Sequence, residues 1–261
     1  MIQITFLGQC GFVLNLGGVK VVIDPYLSDY LDQNFSSREV RWERRFPALT
    51  TLSGIDPDIV LLSHKHWDHL DPWTIHPYIE GGGKALFIAP HAAADRLQTQ
   101  GVVNMRLINA GESVSIQGAQ ITAIACAHPE LHLDADGRYA ELSYVIRCEN
   151  QAIFFGGDMM VREGLIKEIK PYKCSLMLLP CNGRDAWRDA HGIVGNMNST
   201  EAAEFARVCN AKAFVPMHHD LYAINDCSEE QILEDADKAG VRVVCMKPMQ
   251  TLELSTLLNK N

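Results

Sequence analysis

Length, composition and charge restrict the function of this chain before any motif is considered. The sequence has 261 residues, 47% of them hydrophobic and 21% charged, so it can bury a substantial core as one large domain or two small ones. Its apolar runs are strand-sized, far short of the ~20 residues that a membrane span needs, and its first residues lack the pattern of a secretory signal. The formal net charge of −9 disfavours a protein that works by neutralising nucleic-acid phosphates. Eight cysteines, scattered singly with no Cys-x-x-Cys pair, indicate reduced thiols in a cytoplasmic protein.

The first 24 residues have the pattern of three antiparallel strands. Residues 2–6, 11–16 and 19–23 are rich in β-branched and aliphatic side chains, and the Gly-Gly pair between the last two is a strong hairpin signal. Asp24 ends the third strand. It has two interpretations, either a turn residue before proline or a carboxylate that orients a ligand histidine.

A polar segment, residues 28–57, follows as an insertion. Arg38, Trp42 and Phe46 are spaced for one face of a helix that the next proline would stop. Such a helix either faces solvent, a partner or another subunit, or it brings an arginine over the site to hold an anionic group of a substrate. The arginines of the segment are Arg38, Arg41, Arg44 and Arg45.

Four potential metal ligands fall within six residues directly after a predicted buried strand, residues 59–62. They are His64, His66, Asp68 and His69. Side chains alternate along an extended chain, so His64 and His66 can lie on one face and bind one ion. The chain turns towards a helix start before it reaches the other two, which therefore point to a second ion nearby.

The middle of the chain alternates predicted strands and helices. Strands are predicted at 85–89, 103–108, 113–117, 119–126, 142–148 and 151–155, and helices at 72–79 and 92–100. Asp71 and the proline after it supply an N-cap and a first helical residue to the first of these helices. Two strand ends carry further metal-type ligands, because His128 follows one strand and Asp158 follows a Gly-Gly pair that ends another. His132 lies in a polar loop, where we expect contact with solvent or substrate.

The last third begins with a helix at 161–169 and continues through a strand at 175–179, helices at 199–209 and 229–239, and strands at 213–215, 241–246 and 249–254. A long loop, residues 181–198, has no periodicity, which is typical of functional loops. Its polar residues include Asn182, Arg184, Arg188, His191 and Asn198. A His218-His219 pair follows the strand at 213–215. The order of elements indicates an α/β fold, two sheets packed together with helices outside.

Five strand ends therefore carry metal-type ligands, and all of them can meet at one rim of the sheets. The first predicted donor set is His64, His66 and His128, and the second is Asp68, His69 and His218, with Asp158 placed to bridge two ions. Three histidines are a set that leaves a fourth position for water on zinc, and a bridging carboxylate lets two cations lie close together. A single histidine is more often a core or surface residue than a ligand, but the spacing His-x-His-x-Asp-His is far more specific.

This pattern resembles the metallo-β-lactamase superfamily along essentially the whole chain. The resemblance rests on the His-x-His-x-Asp-His sequence, on His128, Asp158 and His218 after it, and on Asp24 as a first motif. Residues 7–11, the Gly-Asp motif and residues 210–220 resemble more narrowly the L-ascorbate-6-phosphate lactonase branch. The resemblance implies a four-layer αββα sandwich in one domain over residues 1–261, a divalent-metal hydrolase and a homo-oligomer.

Two features depart from the lactonase branch. The chain lacks the longer terminal extensions of the true lactonase, and His128 stands where that branch can carry a carboxylate. The Pro-x-His pattern of the family favours His218 as the ligand. Alternation then turns His219 the other way, towards residues behind the ligands or towards substrate.

Metal-assisted hydrolysis is the predicted reaction. A hydroxide held between two divalent ions, Zn²⁺ or Mn²⁺, would attack an ester or lactone, with Asp68 or Asp158 shuttling the proton. The predicted substrate is small and anionic, sugar-phosphate-like, and its anionic group would be held by Asn182, Arg184, Arg188 and His219. The alternative is that the polar side chains of the loop make only its own turns.

Three other functions are compatible with parts of the pattern. A phosphodiesterase or ribonuclease of the same superfamily is disfavoured by the acidic charge, and a diiron redox protein typically has Glu at the position of His66. A non-catalytic metal-binding protein is disfavoured by the complete ligand set. We expect no nucleic-acid or membrane partner.

Overall fold

A computed structural model of the chain describes residues 2–259 as two seven-stranded sheets packed face to face, with helices on their outer surfaces. This architecture confirms the predicted α/β sandwich. The predicted domain spans residues 1–261, so its residues Met1, Lys260 and Asn261 lie outside the described part. No helix among residues 2–259 has the length and apolar character to cross a membrane.

The first sheet contains the first and the last strand along the described chain. Its strands, numbered along the chain, are β1 (Ile2–Gly8), β2 (Gly11–Leu16), β3 (Lys20–Ile23), β4 (Ile59–Leu61), β5 (Leu86–Pro90), β6 (Met105–Ile108) and β14 (Thr251–Glu253). They lie in the order β14-β1-β2-β3-β4-β5-β6, antiparallel up to β3 and parallel from there on. The hairpin between β2 and β3 turns at Gly17 and Gly18, whose φ angles of 69° and 123° favour glycine.

The second sheet repeats this plan. Its strands are β7 (Ser113–Ile116), β8 (Ala119–Ala125), β9 (Leu142–Cys148), β10 (Gln151–Phe155), β11 (Leu176–Pro180), β12 (Ala213–Met217) and β13 (Arg242–Val243). The order is β13-β12-β11-β10-β9-β8-β7, antiparallel from β7 to β10 and parallel from β10 to β13.

Helices flank the two sheets, and several of them cover the outer faces. They are α1 (Tyr30–Phe35), α2 (Leu52–Ile55), α3 (Pro72–Glu80), α4 (Ala94–Thr99), α5 (Leu165–Ile169), α6 (Ala186–Ala190), α7 (Ser199–Val208), α8 (Glu229–Ala239) and α9 (Leu254–Leu258), with 3₁₀ turns at His91–Ala93, Lys170–Tyr172 and Ala223–Asn225. Side chains of α3 and α4 pack on the first sheet, and those of α5, α7 and α8 pack on the second. As predicted, α3 begins at a proline after Asp71, whose carboxylate accepts a hydrogen bond from the Trp73 amide.

The central strands are apolar on both faces because both faces are covered. In β3, Val21 and Ile23 face the other sheet while Val22 faces the helices. The rings of Phe12 and Phe155 meet between the sheets with centroids 6.4 Å apart. Each fully buried aliphatic or aromatic side chain of this kind stabilises the fold by roughly 1.5–3 kcal/mol.

The helix predicted around Arg38, Trp42 and Phe46 is wrong, because no helix lies between α1 and α2. Serine hydroxyls there accept hydrogen bonds from the backbone amides that a helix would use: Ser36 Oγ from the Trp42 amide at 2.9 Å and Ser37 Oγ from the Val40 amide at 3.0 Å. Trp42 and Phe46 are nevertheless buried in part, since both pack on an aromatic cluster. The apolar spacing was therefore a signal of packing, not of a helix.

Two further predictions missed helices. The loop at 181–198 contains the short helix α6, and the strand predicted at 249–254 is limited to β14, after which α9 begins. Both helices have only five residues. Helices this short depend on tertiary packing, so their sequence periodicity is weak.

Candidate metal centre

The strand ends singled out in the sequence meet at one rim of the sandwich. Asp158, after β10, lies at the centre of the group. Its Oδ2 is 3.5 Å from His128 Nε2 and 3.3 Å from His218 Nε2, and its Oδ1 is 3.3 Å from His69 Nε2. All four residues are buried. A single carboxylate thus touches histidines that come from three different connections of the fold.

The donors fall into two sets that share Asp158. The three-histidine set is His64, His66 and His128, and one ligand atom from each lies within 4.8 Å of the others and of an Asp158 oxygen. The carboxylate set is Asp68, His69 and His218. Here Asp68 Oδ2 lies 3.2 Å from His218 Nε2 and 3.7 Å from His69 Nε2. All of the residues predicted as metal ligands lie at this rim. Among the described residues, the groups of possible ligand atoms within 4.8 Å of one another are His64, His66, His128 and Asp158, and Cys10, His69, Asp158 and His218. Cys10 thus stands in the second group in place of Asp68, and the division into two ligand sets stays a prediction.

The residues fit a divalent metal on their own chemistry. Within residues 2–259, few buried side-chain nitrogens or oxygens are without a hydrogen-bond partner, and two of these few are His64 Nε2 and His69 Nε2, although the latter lies 3.3 Å from Asp158 Oδ1. The Nδ1 atoms of the same rings are held from behind, at 2.9 Å from Ser63 Oγ and 2.7 Å from Asp24 Oδ2. Buried polar atoms without a partner are costly, so rings held this way are suited to a cation in front of them.

Asp24 lies directly behind the donors, at the end of β3. Its Oδ1 accepts a hydrogen bond from the Ser63 amide at 2.8 Å, and its Oδ2 accepts one from Ser63 Oγ at 2.5 Å as well as contacting His69. It is fully buried and has a φ of 41°. This position favours the interpretation of Asp24 as an orienting carboxylate over that of a turn residue.

Burial keeps the three-histidine set uncharged. It lowers the pKa of His64 well below its ordinary value, with help from the neighbouring histidines, and it lowers the pKa of His128 to about 4. The pKa of His66 is also lowered, mainly by burial. Neutral imidazole is the form that binds a metal. This set therefore accepts a cation at neutral pH without releasing a proton.

In the carboxylate set, the histidines favour the protonated form and the carboxylates favour the ionised form. Burial alone would lower the pKa values of His69 and His218, but the surrounding carboxylates outweigh it. Asp158, then Asp68, raises the pKa of His69 well above its ordinary value, and the same two carboxylates raise that of His218 to about 9. Burial likewise works to raise the pKa of Asp158, yet His218 and His69 hold it well below its usual range. A cation must displace protons from this set.

Backbone geometry at the rim is unusual in ways that the sequence signalled only in part. Gly157 has a φ of 65°, and a Cβ there would lie 3.0 Å from Ser63 Cβ, so the Gly-Gly pair lets two strand ends approach closely. His218 and Gln9 also have positive φ, 59° and 54°, although neither is glycine. Strained residues of this kind cluster at functional sites.

Three residues contact the donors without having been predicted to do so. Gln9 Nε2 donates to Asp68 Oδ2 at 2.8 Å and lies 3.0 Å from His218 Nε2, and the Cys10 thiol donates to Asp158 Oδ1 at 3.7 Å. Asn225 Nδ2 lies 3.1 Å from His218 Nδ1. The signal for the first two was a polar pair between Gly8 and Gly11, in a turn between two apolar strands. Asn225 lies in a 3₁₀ turn with no motif around it.

The residues predicted to bind an anionic group are occupied by the protein. Arg184 makes two 2.7 Å hydrogen bonds to the Glu201 carboxylate. Arg188 is buried and donates at 2.8 Å both to the Asn182 carbonyl and to Asn225 Oδ1. These contacts support the alternative in which the loop makes its own turns, and they give Arg188 a place behind Asn225 and His218.

The remaining candidates for substrate contact also point elsewhere. His219 faces away from the donors, as alternation predicts, and its Nδ1 lies 3.2 Å from the Cys227 carbonyl oxygen. His132 is exposed and lies 3.2 Å from a Glu141 oxygen. Asn182 donates at 2.6 Å to Asn225 Oδ1. The anion-binding and catalytic roles predicted for Asn182 and His219 therefore have no support in this geometry.

The centre opens into a cavity of about 180 Å³. The donors that line it are His66, Asp68, His128, Asp158 and His218. A larger depression of about 640 Å³ between α7, α8 and β13 contains none of them. Volume alone therefore does not identify the site. The convergent donors identify the smaller cavity as the candidate active site.

Comparison with known proteins agrees with this geometry. The β-lactamase superfamily domain model matches residues 20–219. A UPF0173 metal-dependent hydrolase of Methanopyrus kandleri is 27% identical over 259 residues, covering 96% of this chain and 99% of the relative, and one of Methanoculleus marisnigri is 27% identical over 97% and 96%.

Two solved structures share the fold. A metallo hydrolase from Ignicoccus hospitalis has a TM-score of 0.72 at 20% identity, covering 96% of this chain and 97% of its own. An isothiocyanate hydrolase from Delia radicum gut bacteria has a TM-score of 0.76 at 18% identity, covering 97% and 99%. With its two sheets, its helix layers and a family match over most of its length, the chain belongs to the β-lactamase superfamily.

Proposed function

We propose that the protein is a metal-dependent hydrolase that cleaves an ester or lactone. The observation that carries the proposal is the position of Asp158 between two complementary donor sets at the wall of a cavity. Histidine and carboxylate donors in this arrangement suit a pair of divalent ions, Zn²⁺ or Mn²⁺. The names of the relatives, metal-dependent hydrolases that align over nearly their full lengths, support the same reaction class.

The three-histidine set would hold one ion, the carboxylate set the other, and Asp158 both. Bound ions would supply Lewis acidity, which polarises a carbonyl group and makes water more acidic. Asp68 is the residue of the chain best placed to move a proton. It lines the cavity, its side chain is 15% exposed, and Gln9 holds its Oδ2 at 2.8 Å. His69 and His218 lower its pKa despite burial, so it is ionised before a metal binds.

The details of the predicted substrate differ in their support. We retain cleavage of a lactone from the resemblance to the lactonase branch. The predicted anionic, sugar-phosphate-like group has less support, because Arg184 and Arg188 bind other residues of the protein. All eight cysteines are free, which supports a cytoplasmic location. Homo-oligomer formation and the absence of a nucleic-acid partner stay predictions.

A substrate screen with Zn²⁺- and Mn²⁺-loaded protein tests the proposal. The panel compares neutral esters and lactones, phosphorylated sugar lactones, RNA and bis-aryl phosphates, with an isothiocyanate added because one structural neighbour carries that name. We expect hydrolysis of esters or lactones. Cleavage of phosphodiesters alone would favour the phosphodiesterase alternative, and bound metal without any turnover would favour a non-catalytic metal-binding protein.

A pair of histidine variants ties activity to the centre. His66→Ala should abolish hydrolysis and lower the metal content. His76→Ala, an exposed histidine on α3, is the matched control and should change neither. Full activity of the first variant with unchanged metal would refute the assignment.

A further inference from the structure

A groove leads from the metal centre to the surface. The inner cavity of about 180 Å³ adjoins an outer one of about 420 Å³, and the two share Leu31, Trp42, Gly192 and Ile193. One wall comes from the insertion at 28–57 and the other from the loop at 181–198. A substrate whose carbonyl lies at the donors therefore extends between these two segments.

The walls of the groove are apolar. Beyond the shared residues, Trp67 and Val194 line the inner part, and Phe35 and Val40 line the outer part. The polar side chains outside the metal donors are Ser37, His191 and Asn225. Among the described residues that line the two cavities, none is lysine or arginine. A phosphate or carboxylate in the part of the groove away from the metal donors would lose its hydration without gaining a lysine or arginine partner, whereas an apolar group would gain from burial.

Three arginines of the surrounding segments, Arg44, Arg45 and Arg96, are engaged with other groups. Arg44 donates to the carbonyls of Ser28 at 2.9 Å and Phe46 at 3.2 Å, and Arg45 pairs with Asp226 at 2.8 Å. Arg96 lies over the Trp67 ring, 3.5 Å from its centroid. These three side chains do not line either cavity, and neither do Arg38 and Arg41.

The two tryptophans of the inner cavity are held in place by other aromatic rings. The Trp42 ring meets Tyr222 edge-on at 5.2 Å, and the Trp67 ring lies 5.2 Å from Tyr30. Walls supported in this way are formed before a ligand arrives, which lowers the ordering cost of binding.

We propose that the groove between the insertion and the 181–198 loop selects uncharged esters or lactones that carry an aliphatic or aromatic substituent. The inference rests on the proposed function, because it places the scissile carbonyl at the donor sets. It replaces the anionic substrate expected from the sequence. The substituent would lie against Trp42, Trp67 and Ile193 while the carbonyl faces Asp68 and Asp158.

A homologous series of 4-nitrophenyl esters, acetate to decanoate, tests the inference on Zn²⁺-loaded protein. We expect kcat/KM to rise about fourfold for each added methylene until the groove is filled, the change that burial of one methylene corresponds to. The monosuccinate ester should be at least about tenfold slower than the pentanoate ester of similar length, because its carboxylate enters an apolar groove. A flat series, or a preference for the succinate, would overturn the inference while leaving the proposed hydrolase function intact.

Two lysine variants provide a matched comparison. Val194 lines the groove and Val161 does not, yet each is 38% exposed. Val194→Lys should reduce the chain-length dependence and raise the rate with the succinate ester relative to the pentanoate, whereas Val161→Lys should behave as wild type. Equal effects of the two substitutions would count against a role for the groove.

Binding without turnover separates the selectivity of the groove from the proposed hydrolase function. N-alkylacetamides of increasing chain length serve as uncleaved probes, followed by quenching of tryptophan fluorescence and compared with Trp42→Leu. Affinity should increase with chain length in the wild type and less in the variant. If metal-loaded protein cleaves no ester, the proposed function fails, and this series still decides whether the groove prefers apolar groups.

Discussion

The three-histidine set and the carboxylate set lie on either side of Asp158, yet they hold protons in opposite ways. Burial lowers the pKa values of His64, His66 and His128. On the other side, carboxylates raise those of His69 and His218 against the effect of burial. The same side chain, at similar burial, is therefore neutral in one set and protonated in the other.

Because of this difference, we expect the two donor sets to differ in how strongly protons compete with a metal ion. A cation enters the three-histidine set without competing with protons, whereas in the carboxylate set it replaces positive charge that is already present. We therefore expect occupancy of the second set to depend more strongly on pH. Substitutions that act on one set, or on the residue between them, can test that expectation.

Asp158→Asn is the change with the largest expected effect, because Asp158 is common to both sets. The amide keeps the size of the side chain but removes the charge that faces His69, His128 and His218. We expect metal content to fall and hydrolysis to drop by about 10²–10³-fold or more. Elemental analysis of the purified protein and ester kinetics provide the measurement, with Asp136→Asn on the surface as control. Two retained ions per chain would contradict the shared role.

Gln9→Leu should have a smaller effect, confined to the carboxylate set. Gln9 holds Asp68 Oδ2 and contacts His218, so its loss leaves both free to move. We expect affinity for one ion to fall about 10–100-fold, the usual cost of removing a residue that orients metal ligands, and the other ion to be unaffected. Chelator competition and the absorption spectrum of bound Co²⁺ measure this, with Gln151→Leu, at the far end of β10, as control. An equal loss of affinity for both ions would contradict the distinction between the two donor sets.

The pH dependence of the metal-free protein should show the smallest effect. His128, with its pKa lowered to about 4, takes up a proton on unfolding below pH 6.5, so stability falls as the pH drops from 6.5 towards 4. His218 has its pKa raised to about 9, so its contribution is complete below pH 6.5 and is lost as the pH rises through 9. The two sets together predict a stability maximum near pH 6.5.

Thermal unfolding in the presence of a chelator measures this profile, with about 2–4 °C expected for each kcal/mol lost. His128→Gln should flatten the acidic side and His218→Gln the alkaline side. A maximum that stays unchanged in both variants would show that other groups determine the profile.

Most of the centre could be predicted because its donors lie directly after apolar strands. Each strand is recognisable from local sequence, and the short His-x-His-x-Asp-His segment limits where its side chains can point. Apart from Asp24, the partners behind the donors could not be predicted in the same way. Gln9 lies 209 residues before His218 in the sequence, and Asn225 lies 7 residues after it. Neither residue belongs to a metal-binding pattern.

Two expectations depended on side-chain contacts that local sequence does not show. Arg184 and Arg188 were assigned to a substrate because charged side chains in a long loop need a partner, and sequence alone does not say which one. The structure supplies Glu201 to the first and Asn225 to the second. The helix predicted from Arg38, Trp42 and Phe46 is wrong. Trp42 and Phe46 are partly buried, but serine hydroxyls accept the hydrogen bonds of backbone amides that a helix would have used.

By itself, the sequence determined the two sheets and the placement of histidines and aspartates at strand ends, because strand periodicity and residue order are local properties. Only the tertiary structure decided which partners the charged side chains of the 181–198 loop contact and which surfaces form the groove. Both depend on side chains from separate segments that meet only after folding. The chemistry of the site was therefore predictable from short segments, whereas the apolar character of the groove emerged only when the 28–57 and 181–198 segments were placed against each other.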